Sequence, residues 1–136
     1  MAHRLSGKVL AFIRSQRVAR VATVSRARTP HNVAVCPVAV SGRIYFASEA
    51  NARKVRNLRE NPCAALTFDH YTEDWQQLAG ALVVGTCRII EHGAAFQRVR
   101  GALYRKYKQY ARISPIEAGE SVIIALTPTS SFSWGL

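Results

Sequence analysis

Acidic residues are scarce in this chain. Asp and Glu number 8 in 136 residues against 19 Lys and Arg, for a formal net charge of +11. Two readings of that excess stand. It serves an anionic partner (nucleic acid, an acidic membrane surface or a phosphorylated ligand), or it only keeps the protein soluble. Cysteine is sparse as well: Cys36, Cys63 and Cys87 lie far apart, form no C-x-x-C and are odd in number. This argues against a disulfide framework or a structural zinc site and fits a reducing cytoplasm. Each cysteine sits in an apolar run and is expected to behave as a small buried hydrophobe.

Long apolar runs are missing too. Val9-Leu10-Ala11-Phe12-Ile13 is broken at once by Arg14, and no small-residue cleavage site follows, so the N-terminus does not read as an export signal. No stretch approaches the length that spans a bilayer, and no membrane partner is expected. His3, His31, His70 and His92 lack metal-ligand spacing, so no metal site is expected. The chain shows no evident catalytic triad or carboxylate pair, no repeat, no low-complexity run and no linker.

Apolar residues make up 49% of the chain and charged residues 20%, a globular composition. The length fits one domain, residues 1–136. Leu5, Val9, Phe12 and Ile13 recur at helical spacing and predict a helix over residues 4–15. Alternation predicts strands over 17–24, 31–40, 43–47, 63–69, 79–91 and 121–127. Pro37 should mark an edge or a bulge, Ser41-Gly42 a two-residue hairpin turn, and Gly85 a bend. Val55 and Leu58 mark a short helix ending near Asn61-Pro62, and Phe96, Val99, Leu103 and Tyr107 a third helix. Residues 70–78 read as a polar loop, and 128–136 show no period. The expected fold is mainly β: a six-stranded antiparallel barrel with peripheral helices.

The stretch Phe46-Ala47-Ser48-Glu49-Ala50-Asn51-Ala52-Arg53-Lys54 carries a strand into a helix. A helix start attracts anions, yet Arg53 and Lys54 place positive charge where the dipole disfavours it. A bound phosphate would reverse that penalty, and Ser48 is near enough to cap the helix or to serve the same anion. The alternative is a solvated basic helix face, since Arg56 and Arg59 continue the charge.

Pro30-His31-Asn32-Val33-Ala34-Val35, Gly42-Arg43-Ile44-Tyr45-Phe46-Ala47-Ser48, Ala52-Arg53-Lys54-Val55-Arg56-Asn57-Leu58, Asn61-Pro62 and Gly85 follow one another in order. The ordered set resembles the pyridoxamine-phosphate-oxidase-like split β-barrel superfamily over residues 5–92. The whole length resembles its short branch, which includes deazaflavin-dependent enzymes. The run from Asp69 to Trp75 and the Trp134-Gly135 pair look like one subgroup.

The resemblance implies an FMN-binding type of split barrel. It implies an oxidoreductase that uses FMN or the deazaflavin coenzyme F-420 on a small conjugated substrate, at a site between the subunits of a homodimer. It places Arg53 and Lys54 on the cofactor phosphate, helped by Ser48. It sets the backbone of Asn32, Val33, Ala34 and Val35 against the ring and makes Trp134 a lid. The chain lacks the Arg-x-His that grips the pyridoxal substrate in the true oxidase, and ends Ser133-Trp134-Gly135-Leu136. A glutamine common before the fifth-strand glycine is replaced by Gly80 and Ala81. Two other classes remain: a haem-binding or haem-degrading split barrel with His70 or His92 as ligand, and a basic nucleic-acid-binding module. Against the latter, the basic residues are scattered and no exposed aromatic strand motif appears.

Overall fold

Seven strands, one more than expected, form a single antiparallel sheet in the computed structural model, which describes residues 3–136. The chain runs α1 (Gly7–Ser15), β1 (Ala19–Val24), β2 (Pro30–Val35), β3 (Val38–Val40), β4 (Arg43–Glu49), α2 (Arg53–Glu60) and β5 (Cys63–His70). After a 3-10 turn at Trp75–Gln77 it continues through β6 (Ala79–Ile90), α3 (Ala94–Lys106), α4 (Tyr110–Ile113) and β7 (Ser121–Trp134). The strand order is β2-β1-β5-β6-β7-β4-β3.

The extra strand arises where Pro37 stands. The expected strand over 31–40 breaks at Cys36 and Pro37, because proline offers no N–H to a ladder. Its two halves take opposite edges of the sheet. Val35 and Val38 are three residues apart, a span of at most about 11 Å. Edges joined at one end by so short a link draw together there, so the sheet curls into a half-barrel split between β2 and β3. The end of α3 staples this crossover: Lys106 Nζ donates to the Pro37 carbonyl at 2.9 Å. The Tyr107 hydroxyl bridges the carbonyls of Pro37 at 2.6 Å and Arg17 at 3.0 Å.

The hairpin at Ser41-Gly42 forms as expected. Both residues are left-handed, at φ 51° and 78°, the geometry that matches strand twist. The last strand differs from expectation. The segment read as lacking a period extends β7 to Trp134, with Phe132 opposite Leu82 and Trp134 opposite Gly80. Its serines supply few apolar side chains, so the alternation carries little hydrophobic contrast, and the pairing with β6 defines it instead. The register shifts between Val84 and Gly85, at the expected bend. There the Thr129 hydroxyl donates to the Val84 carbonyl at 3.2 Å.

Alternation sorts the side chains onto two faces. Inside the barrel, Val21, Phe46, Leu66, Phe68, Val83 and Ile124 pack with Val9 and Ile13 of α1 and with Val55 and Leu58 of α2. Outside, Phe96, Val99 and Leu103 of α3 cover Tyr45, Ile90, Ile123 and Ala125. The rest of the outer face has no cover from this chain. It presents Ala22, Ala34, Leu82, Val84, Phe132 and Trp134, with Phe132 64% exposed.

The three cysteines are free, and only Cys87 is buried. Cys36 is half-buried and Cys63 exposed, because Cys63 opens β5 on its outward-facing side. Among the described residues no helix is long and apolar enough to cross a membrane.

Candidate functional site

α2 starts without a side-chain cap. Its N-cap residue is Ala52, which offers no side-chain acceptor, and its first turn holds no acidic residue. The first N–H groups of a helix have no partner within it, so this end carries unmet donors and partial positive charge. Ser48, expected near the cap, is buried in β4 and donates its hydroxyl to the Glu49 carbonyl at 3.0 Å. It does not cap the helix.

Arg53 opens α2 and faces a cleft of about 460 Å³ shared with Ser25, Thr29, His31 and Asn57. His31 enters from β2, whose alternation turns His31, Val33 and Val35 inward. Its Nδ1 is buried and has no hydrogen-bond partner among the described residues. A buried polar atom left unpaired costs about 1–3 kcal/mol, so a group that bonds it in the cleft has a ready gain. Asn57 is 3% exposed, and its amide donates to the Thr23 hydroxyl at 3.1 Å. That bond ties α2 to β1 at the floor of the cleft. Arg26 and Glu60 form a 2.8 Å ion pair at the rim. The pair leaves Arg53 as the cleft cation without a carboxylate partner among the described residues.

Lys54 does not line this cleft. Burial pushes its amine below the ordinary lysine range, and the nearby Glu49 carboxylate partly restores it. The basic pair therefore splits: Arg53 looks toward His31, and Lys54 toward Glu49 and the end of β4.

The four β2 positions split in the same way. Val35 is in the barrel core and Val33 packs against it, while Asn32 and Ala34 point out of the barrel. β2 is an edge strand, so one side of its backbone is free to bond a ligand. Trp134 lies on β7, four places from β2 in the strand order. It lies flat over Gly80, where a Cβ would collide with the indole, and its ring centroid is 5.8 Å from that of Phe132. Trp134 is thus fixed at a strand end on the outer face, and within one chain it does not meet the α2 cleft.

His31 and Asn57 are the cleft residues that residue-by-residue reading of the sequence passed over. The signal for His31 was present in the two-residue period of β2, which puts it on the face of Val33 and Val35. Asn57 stands between Val55 and Leu58 on the inward side of α2, an odd place for an amide unless it has a fixed partner.

A family model described as pyridoxamine 5'-phosphate oxidase matches residues 5–135. No curated protein matches the chain in sequence. Several solved structures share the fold. A conserved hypothetical protein, Rv2991 of Mycobacterium tuberculosis, aligns with a TM-score of 0.82 at 20% identity, over 98% of this chain and 86% of that one. An F420 reductase aligns at 0.75 and 19% identity, over 94% and 98%. HutZ, the haem storage protein of Vibrio cholerae, aligns at 0.77 and 14% identity, over 96% and 94%.

Proposed function

The chain belongs to the pyridoxamine 5'-phosphate oxidase family, and from that premise we propose that it is a cytoplasmic flavin- or deazaflavin-dependent oxidoreductase acting on a small conjugated substrate. The observation that carries this reading is the cleft at the start of α2. An uncapped helix end, an unpaired Arg53 and the orphaned Nδ1 of His31 converge there. All three suit a phosphate, the group that FMN and coenzyme F-420 share. In this reading His31 and Arg53 hold the phosphate, and Lys54 and Ser48 flank it from the β4 side. The free backbone edge at Asn32, Val33, Ala34 and Val35 orients the ring. The cofactor supplies the hydride chemistry; the chain supplies binding, orientation and exclusion of water.

Trp134 requires a second subunit in this reading. It lines no part of the α2 cleft of its own chain, so in this reading it covers the ring of a partner. The uncovered outer face is the surface on which two copies meet. Its small and apolar residues continue the face that α3 buries, and an exposed apolar patch of this kind marks an interface. Phe132→Asp should convert a dimer to monomers in sedimentation velocity, with the far-UV circular dichroism unchanged. A wild-type chain that sediments as a monomer at micromolar concentration would refute the two-chain site.

Titration of FMN and of the deazaflavin coenzyme into wild type, Arg53→Ala and Lys54→Ala tests the phosphate assignment. A charge-assisted hydrogen bond is worth about 1.5–3 kcal/mol, so loss of Arg53 should weaken binding by about 10- to 100-fold, and loss of Lys54, which stands outside the cleft, by less. The melting temperature of the ligand-free protein should hold or rise slightly, since a cation leaves a positive helix end. Unchanged affinity for both cofactors in both variants would return the cluster to a solvated face. The haem alternative draws less from this structure. His70 and His92 are both exposed, and neither lines the cleft. A Soret band in the purified protein would reverse that preference.

A further inference from the structure

A second basic concavity lies on the outer face of the sheet, where the start of β4 meets β7 and β6. Arg43, Thr86, Arg88 and Thr127 line a hollow of about 480 Å³ together with Cys87 and Ala125. It shares no residue with the α2 cleft. The register explains the convergence. Arg88 pairs with Ala125 and Thr86 with Thr127, while Arg43 lies on β4 just before Ile44, the partner of Leu126. The two arginines therefore flank β7 from either side, about 10 Å apart across the sheet.

The hollow holds cations without an answering charge. No acidic residue lines the hollow, and neither arginine has a carboxylate partner among the described residues. Arg43 is nevertheless oriented: its Nε donates to the Thr127 hydroxyl at 3.2 Å, which leaves its two terminal nitrogens free. Thr86, two residues before Arg88 on β6, adds a hydroxyl to the lining. Two guanidinium groups thus line one concavity without a carboxylate in its lining, and one of them is held in place by a neutral side chain.

We propose that this hollow is an oxyanion-binding site for a small ligand carrying two acidic groups. Each guanidinium offers a planar fork of donors that matches a carboxylate or a phosphate. Their separation favours a ligand with two such groups over a single ion, and the threonine hydroxyls satisfy the oxygens between. The site stands apart from the cofactor cleft and does not depend on it.

Calorimetric titration of the full chain tests the site. The Arg53→Ala background removes the α2 cleft from the measurement, and the probes are inorganic pyrophosphate, succinate and inorganic phosphate. At least one two-headed probe should bind more tightly than phosphate. Arg43→Gln and Arg88→Gln should each weaken it by about 10- to 100-fold. Preference for pyrophosphate would assign the site to organic diphosphates, and preference for succinate to dicarboxylates. Equal binding in all variants, or no binding of either two-headed probe at 10-millimolar concentration or so, would overturn the proposal. So would a shift in sedimentation of Arg88→Gln without a change in binding, which would show that acidic residues of a second copy fill the hollow. Failure of the cofactor reading would appear elsewhere, in the FMN and deazaflavin titrations of Arg53→Ala against wild type.

Discussion

Replacing Gly85 by alanine is expected to destabilise the protein by about 2–3 kcal/mol or more, and replacing it by valine to prevent folding. Gly85 sits in β6 where the register with β7 shifts. A Cβ built there would collide with the carbonyl oxygen of Thr127 and come within 2.6 Å of Cδ2 of Leu126. The first neighbour is backbone, so it cannot swing aside. Relief would require β7 to part from β6, yet pairing holds the strands on both sides of the shift: Thr127 with Thr86 and Ser130 with Val84. The second neighbour, Leu126, is 0% exposed in the barrel core. Overpacking of a filled core costs about 1–3 kcal/mol even where side chains alone must move. Gly7 is the control. A Cβ there meets nothing within 4 Å, and it lies in the first turn of α1. Gly7→Ala should be neutral or stabilising by about 0.4–1 kcal/mol. Urea unfolding followed by circular dichroism measures both, since a lower midpoint at constant slope reports lost stability alone. Matching midpoints for Gly85→Ala and wild type would show that the bulge has room to spare.

The position of Gly85 was legible in the sequence, as were α1, the Ser41-Gly42 hairpin and the long strand β6. Each of these depends on residues close together along the chain: a period, a turn pair, a missing side chain. The features that were not legible depend on partners far away. The stretch over 31–40 reads as one valine-rich strand, and only the closure of the sheet puts its two halves on opposite edges. The segment after Thr127 reads as a tail because serine contributes no apolar signal; its strand character comes from β6. Cys63 was expected to be buried from its apolar neighbours, but the phase of β5 sets it outward.

The candidate site shows the same division. Arg53 was legible because two cations at a helix start contradict the dipole, and that contradiction is local. Its pairing with His31 was not, since it needs β2 folded against α2. The hollow between Arg43 and Arg88 was invisible for the same reason: its two cations come from strands that β7 alone brings side by side. The excess charge of +11 is thereby partly resolved into places. Arg20, Arg26 and Arg59 answer carboxylates, whereas Arg53, Arg43 and Arg88 line concavities and pair with no carboxylate among the described residues.

The folded state is expected to tolerate alkali up to about pH 10 and then to lose stability steeply. Burial pushes the Cys87 thiol from its ordinary 9.0 up to about 12. It pushes the Tyr110 hydroxyl from 10.0 up to about 12, and raises Tyr107 as well. Above the ordinary value the unfolded chain has released each proton while the folded chain keeps it. The unfolded state then binds fewer protons, and stability falls as pH rises. Lys106 acts in the opposite sense. Burial and the neighbouring Arg17 push its amine from 10.5 down to about 8, so between those values the folded chain has lost a proton that the unfolded chain retains. Stability therefore gains from Lys106 over that window. Lys54, lowered in the same direction, adds to the gain. The two signs offset one another from pH 9 to 10. Above 10.5 the lysines contribute nothing further, and buried Cys87 and Tyr107 remain with half-buried Tyr110. At about 1.4 kcal/mol per proton and pH unit, the loss is at most about 4 kcal/mol for each unit of pH, and less to the extent that solvent screens the tyrosines, against a total stability of about 5–15 kcal/mol. Urea midpoints measured from pH 7 to 12 should stay level or rise slightly to about pH 10 and then collapse. Cys87→Ala should start from a lower midpoint, because a buried group is lost. Its alkaline limb should be shallower by about a third, because one of three protons no longer counts. A wild-type midpoint that stays flat to pH 12 would mean that these groups ionise in place, and that the core around Cys87 and the tyrosine cluster at the barrel seam admit water.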